Sequence, residues 1–196
     1  MTTPARRVVS CPTAADDARA AEDGLTSIRN VLQLRRPLPL DAGDTVPTRA
    51  FVPGSPDEAA WIDVNNRAFA THPDQAGMTP SRLHADLTAA WFEADGFRLH
   101  ERDGRLAAFC WTKRHPATAD DPAMGEIYVI GVDPDFQGLG LGRALVIAGL
   151  DWLAGVGETV GMLYVDETNT PARRLYARLG FTEHHVDRVY ETSPAT

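Results

Sequence analysis

Apolar residues recur at helical spacing over residues 61–69, which predicts a helix with one buried face. Ser55 precedes this segment as a candidate N-cap, and Pro56 suits the first turn of a helix. Glu58 then completes a capping box with Ser55. The helix is expected to end near Ala70.

The rest of the N-terminal half is less regular. Residues 1–24 are short of large apolar groups and are expected to form a weakly ordered leader. Residues 25–40 are richer in apolar groups, and their spacing fits either one strand or a short helix. Further on, Thr79-Pro80 opens a second predicted helix, which runs to about Trp91.

A β-hairpin is predicted in the middle of the chain. Two strand-like runs, 97–102 and 105–113, flank the dipeptide Asp103-Gly104. A two-residue Asp-Gly link between alternating runs is the strongest short-range hairpin signal, because both residues tolerate positive φ.

Strand-like and helical segments alternate in the C-terminal half. Further strands are predicted over 126–132, 161–166 and 186–190. A long helix separates the first two, and a short helix separates the last two, with Thr170 as its cap, Pro171 in its first turn and Gly180 as a left-handed stop. This order predicts a single α/β domain with a central mixed, twisted sheet flanked by helices.

Composition narrows the class of protein. With 43% hydrophobic residues in 196, the chain can bury a sizeable core, and no apolar run approaches the length of a membrane span. No signal peptide is recognisable, so a cytoplasmic location is expected. The net charge of −8 argues against general nucleic-acid binding. Cys11 and Cys110 belong to no metal-like cluster, so reduced thiols and no metal are expected.

The segment 137–143 carries the clearest chemical signal. Gly138, Gly140 and Gly142 lie at the junction of a predicted strand and a predicted helix. A turn without Cβ atoms lets backbone N–H groups approach a ligand closely. The helix N-terminus that follows adds unsatisfied donors and partial positive charge. The segment therefore favours a diphosphate bound by the main chain.

These residues resemble the GNAT acetyltransferase superfamily. Gln137, Gly140 and Gly142 are similar to its acetyl-CoA signature, Gln/Arg-x-x-Gly-x-Gly/Ala. Asn169 and the helix that carries Tyr176 resemble a second hallmark of the superfamily. The resemblance implies a GNAT-type acyl-CoA N-acyltransferase domain that uses acetyl-CoA as co-substrate, without a metal.

Within the superfamily the chain resembles the mycothiol synthases. The similar segments are 69–75, 111–113, 125–133 and 163–166. Those enzymes acetylate the cysteinyl amine of a glucosamine–inositol conjugate and carry two tandem GNAT domains, of which the C-terminal one is catalytic. The resemblance covers roughly residues 45–190 and implies a GNAT domain over 45–192. Residues 1–44 are expected to form a partly disordered leader and linker, in which 25–40 resembles the end of an upstream domain that is otherwise missing.

The resemblance implies two catalytic residues. Glu126, at the start of a strand beside the glycine turn, corresponds to the base, and its side chain is expected to share a sheet face with Tyr128 and Ile130. Tyr176 corresponds to the general acid that protonates the departing thiolate. The alternatives are a solvated glutamate at a strand end and a tyrosine that only packs on its helix.

The expected contacts with acetyl-CoA come mainly from the main chain. They involve Ile130, Gly131, Val132, Gln137, Gly138, Leu139, Gly140, Leu141, Gly142, Arg143, Asn169, Thr170, Pro171, Ala172, Arg173 and Arg174. For the three arginines, a solvated helix charge is the alternative.

The acceptor is expected to be a small-molecule amine. The residues implied to bind it are Asp74, Lys113, Glu126 and Tyr164. Asp74 departs from the family, which usually has Glu there, and its shorter arm weakens that contact. Lys113 could instead be solvated and Tyr164 could be core. His72 and His115 are expected to be loop histidines without a catalytic role.

Two other functions stay open at this point. The missing upstream half would leave a more open cleft for another small amine or a peptide N-terminus. The chain could also bind acetyl-CoA without turnover. A homodimer is one way to replace the lost half, with residues 25–40 pairing onto a sheet edge.

Overall fold

A computed structural model describes residues 6–41, 43–72 and 75–192. It divides into two compact units. The terminal unit comprises the described residues of 1–36 and 162–196, and the central unit those of 37–161. Helices and strands alternate in both units, which confirms the predicted α/β class.

The terminal unit combines both ends of the chain. Its elements are β1 (Arg6–Ser10), α1 (Ala14–Glu22), β2 (Leu25–Pro37), most of β7 (Val160–Asp166), α5 (Thr170–Arg178) and β8 (Thr182–Thr192). The strand order is β1-β8-β2-β7, and β8 is antiparallel to both β1 and β2. The segment 25–40, for which the sequence left strand or helix open, is therefore a strand over most of its length.

The leader is more regular than the sequence analysis expected. Thr13 accepts a hydrogen bond from the N–H of Asp16, whose carboxylate in turn accepts from the N–H of Thr13, so a capping box starts α1. Asp17 of α1 also accepts from Arg188 and from the hydroxyl of the buried Tyr190 on β8. These contacts anchor a segment that has few large apolar side chains of its own. The expectation of a weakly ordered leader is wrong for residues 6–24.

The central unit contains the predicted hairpin and the glycine turn. Its elements are β3 (Arg49–Ala50), α2 (Asp57–Ala68), α3 (Pro80–Leu87), β4 (Phe97–Arg102), β5 (Arg105–His115), β6 (Met124–Val132) and α4 (Leu141–Gly155). The strands lie in the order β6-β5-β4-β3, and each neighbouring pair is antiparallel. Asp103 and Gly104 have φ of 53° and 72°, which confirms the tight hairpin turn.

Two apolar layers cover the faces of this sheet. On one face, Trp61 of α2 packs edge-on against Phe97, Phe109 and Trp111. On the other face, α4 lies so close that a Cβ on Gly149 would come within 2.6 Å of the Cys110 Sγ. We call these the α2 face and the α4 face.

Two predicted helix ends are corrected. Pro56, not Ser55, is the cap residue of α2, and the Glu58 side chain accepts from the N–H of Gly54, so no capping box forms. Helix α3 ends at Leu87 rather than near Trp91. There the Thr88 hydroxyl donates to backbone carbonyls of the last turn, which competes with continuation of the helix.

Candidate active site

The glycine turn is open and rich in donors. Gly138 and Gly140 have φ of 78° and 76°, and a Cβ on either would meet nothing within 4 Å. Gly140 is the cap of α4, and Ala144 N–H bonds its carbonyl at 3.3 Å. Within the described part of the chain, the N–H groups of 138–143 find no hydrogen-bond acceptor. The turn therefore offers free donors at the N-terminus of a 15-residue helix.

A β-bulge in β6 changes which side chains share a face. Thr112 lies opposite Ile127 and Trp111 lies opposite Val129, so Tyr128 is the extra residue of the bulge. Glu126 and Tyr128 both lie on the α2 face, as expected. Ile130, however, lies opposite Cys110 and therefore points to the α4 face. The prediction that Ile130 shares the face of Glu126 is wrong, because strict alternation assumes a regular strand.

Glu126 is buried and hydrogen-bonded. Only 7% of its surface is exposed, so the alternative of a solvated strand-end glutamate is wrong. Lys113 lies directly opposite it on β5. The Nε2 atom of His115 lies 2.7 Å from Oε2 of Glu126. His115 is the last residue of β5 and not, as expected, a loop residue.

Aromatic rings line the space beside Lys113. Its Nζ lies 4.6 Å from the ring centroid of Trp91 and 5.4 Å from that of Tyr128, and these two rings are 5.1 Å apart. Burial, followed by the charges of Asp86 and Glu126, raises the pKa of Tyr128. Burial likewise raises the pKa of Asp86. The region is therefore partly shielded from solvent, and the Lys113 ammonium group lies over the faces of two aromatic rings.

In the terminal unit, Asn169 caps α5. Its side-chain oxygen accepts from the N–H of Ala172 at 3.2 Å, so Asn169 and not Thr170 is the cap. A groove of about 400 Å³ follows the same helix. It is lined by Leu32, Leu34, Thr170, Arg173, Arg174, Ala177, Phe181 and Glu183. Of the expected cofactor contacts, Thr170, Arg173 and Arg174 thus lie along one groove.

The two tyrosines differ in exposure. Tyr164 is 42% exposed, so it is not a core residue, and its hydroxyl accepts from Gln33 at 2.7 Å. Tyr176 is buried and packs edge-on against Phe181 with ring centroids 5.8 Å apart. Its role as general acid stays a prediction. Asp74 lies outside the described residues.

Sequence reasoning missed three contributors: His115, Trp91 and Gln33. A signal existed for His115, because it lies two residues beyond Lys113 and a continued strand would put both on one face. The sequence predicts that Trp91 ends helix α3, whereas that helix ends at Leu87. Gln33 had no local signal, since its partner lies 131 residues away.

The described ranges contain neither a metal-binding cluster nor a membrane-spanning helix. Nowhere in 6–41, 43–72 or 75–192 do three or more His, Cys, Asp or Glu side chains form a cluster that could hold a metal ion. None of the helices in those ranges has the length and apolar character needed to traverse a bilayer.

Comparison with protein families gives a match over residues 61–181 to the acetyltransferase (GNAT) family. The match spans more than half of the chain. The chain belongs to the acetyltransferase (GNAT) family. The predicted enzyme class, an acyltransferase, is confirmed with it.

Relatives of this GNAT chain are known by name. It is 51% identical over 183 residues to a mycothiol acetyltransferase of Thermomonospora curvata, covering 90% of the chain and 60% of that protein. It is 49% identical over 170 residues to a mycothiol acetyltransferase of Acidimicrobium ferrooxidans, covering 84% of the chain and 54% of that protein. The chain therefore spans little more than half the length of these two relatives.

A solved structure supports the GNAT fold. A GCN5-related N-acetyltransferase from Sphaerobacter thermophilus aligns with a TM-score of 0.74 at 23% identity, covering 97% of this chain and 60% of that one. At this identity the likeness concerns the fold alone, and it confirms the GNAT-type α/β architecture that the sequence predicted.

Proposed function

We propose that this GNAT chain is an acetyl-CoA-dependent N-acetyltransferase of the mycothiol synthase type. Its acceptor is the cysteinyl amine of a Cys-glucosamine–inositol conjugate. The observation that carries the proposal is the buried carboxylate of Glu126, on the strand that leads into an open glycine turn. The names of the two mycothiol acetyltransferase relatives support the choice of acceptor.

The glycine turn fits the diphosphate of a coenzyme. Free N–H groups over 138–143 can each donate to a phosphate oxygen, and the positive end of α4 favours the negative charge. The missing Cβ atoms at Gly138 and Gly140 leave the approach open. When bound, acetyl-CoA supplies an acetyl group activated as a thioester. Arg143, together with Arg173 and Arg174, adds positive charge for its phosphates.

Glu126 acts as the base. An ammonium ion has no lone pair, so the acceptor amine must lose a proton before it can react. The described residues give Oε2 one hydrogen bond, with His115, and give Oε1 none. Oε1 is therefore the oxygen that we assign to accept the proton. Little water reaches the carboxylate, which strengthens its electrostatic interaction with a cationic amine.

The remaining assignments follow the family pattern. Tyr176 is the general acid, because a phenol can donate a proton or a hydrogen bond to a leaving thiolate. Lys113 and Tyr164, with Asp74, contact the polyhydroxy acceptor. Lys113 is fixed over two aromatic rings, which reduces the rotamer entropy that it would lose on binding.

A second candidate differs in the acceptor. The family match shows the enzyme class and not the acceptor, so a different small amine or a peptide N-terminus is the alternative. A non-catalytic acetyl-CoA-binding protein is a third candidate. Analytical ultracentrifugation with and without acetyl-CoA tests whether the chain forms the proposed homodimer.

The decisive experiment measures thiol release from acetyl-CoA with the purified chain and a panel of amines that includes the cysteinyl conjugate. We expect the conjugate to be preferred and acetyl-CoA alone to raise Tm, because it binds the folded state. Glu126→Gln should lower kcat about 100-fold while the acetyl-CoA Kd stays close to that of the wild type. The control Glu93→Gln changes a half-exposed glutamate of the same unit and should behave as the wild type.

Each contrary result removes one assignment. Preference for an unrelated amine would favour the second candidate. Binding of acetyl-CoA without turnover on any amine would favour the third. An unchanged rate in Glu126→Gln would remove Glu126 from the mechanism.

A further inference from the structure

The contact between His115 and Glu126 is the only hydrogen bond that the described residues give to the Glu126 carboxylate. His115 Nε2 lies 2.7 Å from Oε2, while Glu126 is nearly buried and the imidazole is 30% exposed. Lys113, directly opposite Glu126, does not take this place, because its Nζ lies over the rings of Trp91 and Tyr128.

The proton on this hydrogen bond can be assigned. A base must be ionised before it accepts a proton, and an ionised carboxylate has acceptor sites only. His115 must therefore donate, so its Nε2 carries hydrogen whenever Glu126 is ready to react. The donor fixes one oxygen of the carboxylate and leaves Oε1 for the amine.

We infer that His115 is a positioning residue for Glu126. It holds Oε2 through the Nε2–H donor and so orients Oε1 toward the incoming amine. The inference rests on the proposed function, in which Glu126 is the base. It replaces the expectation from the sequence that His115 is a loop residue without a role.

Other charged or titratable groups lie near the Glu126 carboxylate, and a test of His115 must leave them unchanged. Lys113 faces it from β5, and Tyr128 lies beside it at the bulge of β6. Asp86 and Arg82 of α3 act on Tyr128 and so belong to the same electrostatic environment. Variants of His115 alone leave these four groups in place.

The first test is spectroscopic and independent of activity. Long-range ¹H–¹⁵N spectra of the histidine side chains are recorded for the wild type, Glu126→Gln and the control Glu93→Gln, with His115 assigned from His115→Gln. We expect the Nε2 signal of His115 to move in Glu126→Gln and to stay in Glu93→Gln. An Nε2 signal that does not respond to Glu126→Gln would overturn the inference, whatever the enzyme acetylates.

The second test compares two substitutions by kinetics. His115→Ala removes the donor and should lower kcat about 10- to 100-fold, with the KM for acetyl-CoA little changed. His115→Gln keeps an N–H donor, so its kcat should fall less than that of His115→Ala. The control His84→Gln changes an exposed histidine of α3 and should match the wild type.

Rescue by the conservative variant separates orientation from mere structural support. His115→Gln retains a donor for Oε2, so its kcat should lie closer to that of the wild type than the kcat of His115→Ala does. A rate of His115→Ala identical to that of the wild type would refute the inference.

The results also distinguish the inference from the proposed function. A wild-type chain that acetylates no amine would refute both. An active wild type whose His115 variants match it would refute the inference alone. If His115→Ala does not fold, as judged by thermal unfolding, the same comparison is decided by His115→Gln.

Discussion

The side-chain amide of Gln33 donates a hydrogen bond to the hydroxyl of Tyr164 over 2.7 Å. Its amide oxygen accepts from Arg35 Nε at 2.6 Å, and Arg35 has no acceptor atom, so the amide can be oriented in only one way. Gln33 belongs to strand β2. This segment thus orients a tyrosine that we propose to bind the acceptor.

Gln33→Met should weaken acceptor binding. Methionine has a similar length but cannot donate to Tyr164, so the tyrosine loses this hydrogen bond. We expect the KM for the acceptor to rise about 3- to 10-fold, with the KM for acetyl-CoA unchanged, since one hydrogen bond contributes about 1 kcal/mol. Steady-state kinetics with each substrate varied in turn would measure both values.

Ser27→Ala, an exposed position on the same strand, is the matched control for Gln33→Met. It should leave both KM values as in the wild type. An equal rise of both values in Gln33→Met would point to a general loss of structure in β2 rather than to a role in acceptor binding.

Gly140→Ala should separate backbone strain from cofactor binding. Gly140 has φ of 76°, and an L residue there costs about 1 kcal/mol or more. The added methyl group would also lie at the open turn that we assign to the diphosphate. We expect a lower Tm and an acetyl-CoA Kd at least about tenfold higher, measured by thermal unfolding and calorimetry.

Gly157→Ala is the control with similar strain. Gly157 has φ of 95° just beyond the C-terminal end of α4, and a Cβ there also meets nothing within 4 Å. It should lower Tm to a comparable extent and leave the acetyl-CoA Kd unchanged. Equal losses of affinity in the two variants would argue against binding of the diphosphate at the glycine turn.

The fold predictions that the structure confirms rest on a few adjacent residues in the sequence. Asp103-Gly104 predicted its hairpin because the turn is determined by two adjacent residues. Gly180, at φ of 79°, likewise stopped α5 as expected. The cap of α5 was misplaced by one residue, since Asn169 and Thr170 are both acceptable caps by type and only the geometry distinguishes them.

Features that depend on distant contacts could not be predicted in the same way. The bulge at Tyr128 has no signature in the strand's own sequence, and it reversed the expected face of Ile130. The order in residues 6–24 depends on bonds from Asp17 to Arg188 and Tyr190, more than 170 residues away. For the candidate site, the sequence therefore indicated Glu126 and Lys113 but not the histidine that bonds the carboxylate.

Asp57 should make stability depend on pH. Its carboxylate accepts two hydrogen bonds from Arg49, each 2.7 Å long, and a third from the N–H of Val52 at 2.9 Å. Hydrogen bonding from Arg49 holds the pKa of Asp57 below its usual value, against the opposing effect of burial. Because the pKa is lower in the folded state, the stabilisation is present above about pH 4 and disappears as pH falls further.

Asp57→Asn should therefore lower the free energy of unfolding by about 1–2 kcal/mol at pH 7. The difference from the wild type should shrink as the pH falls below about 4. Urea unfolding at several pH values would measure it. Asp63→Asn, an exposed change on the same helix, should show a much smaller difference at pH 7. A pH-independent deficit in Asp57→Asn would contradict the ionic explanation.

The two cysteines should differ sharply in reactivity. Burial raises the pKa of the Cys110 thiol to about 12, so almost none of it is thiolate at pH 8, whereas Cys11 is exposed. We expect a thiol reagent such as dithionitrobenzoate to modify one thiol per native chain at pH 8 and two in denaturant. The variant Cys11→Ala should show no rapid reaction in the native state. Rapid modification of that variant would mean that the layer between α4 and β5 opens readily, and it would contradict the close packing of Gly149 against Cys110.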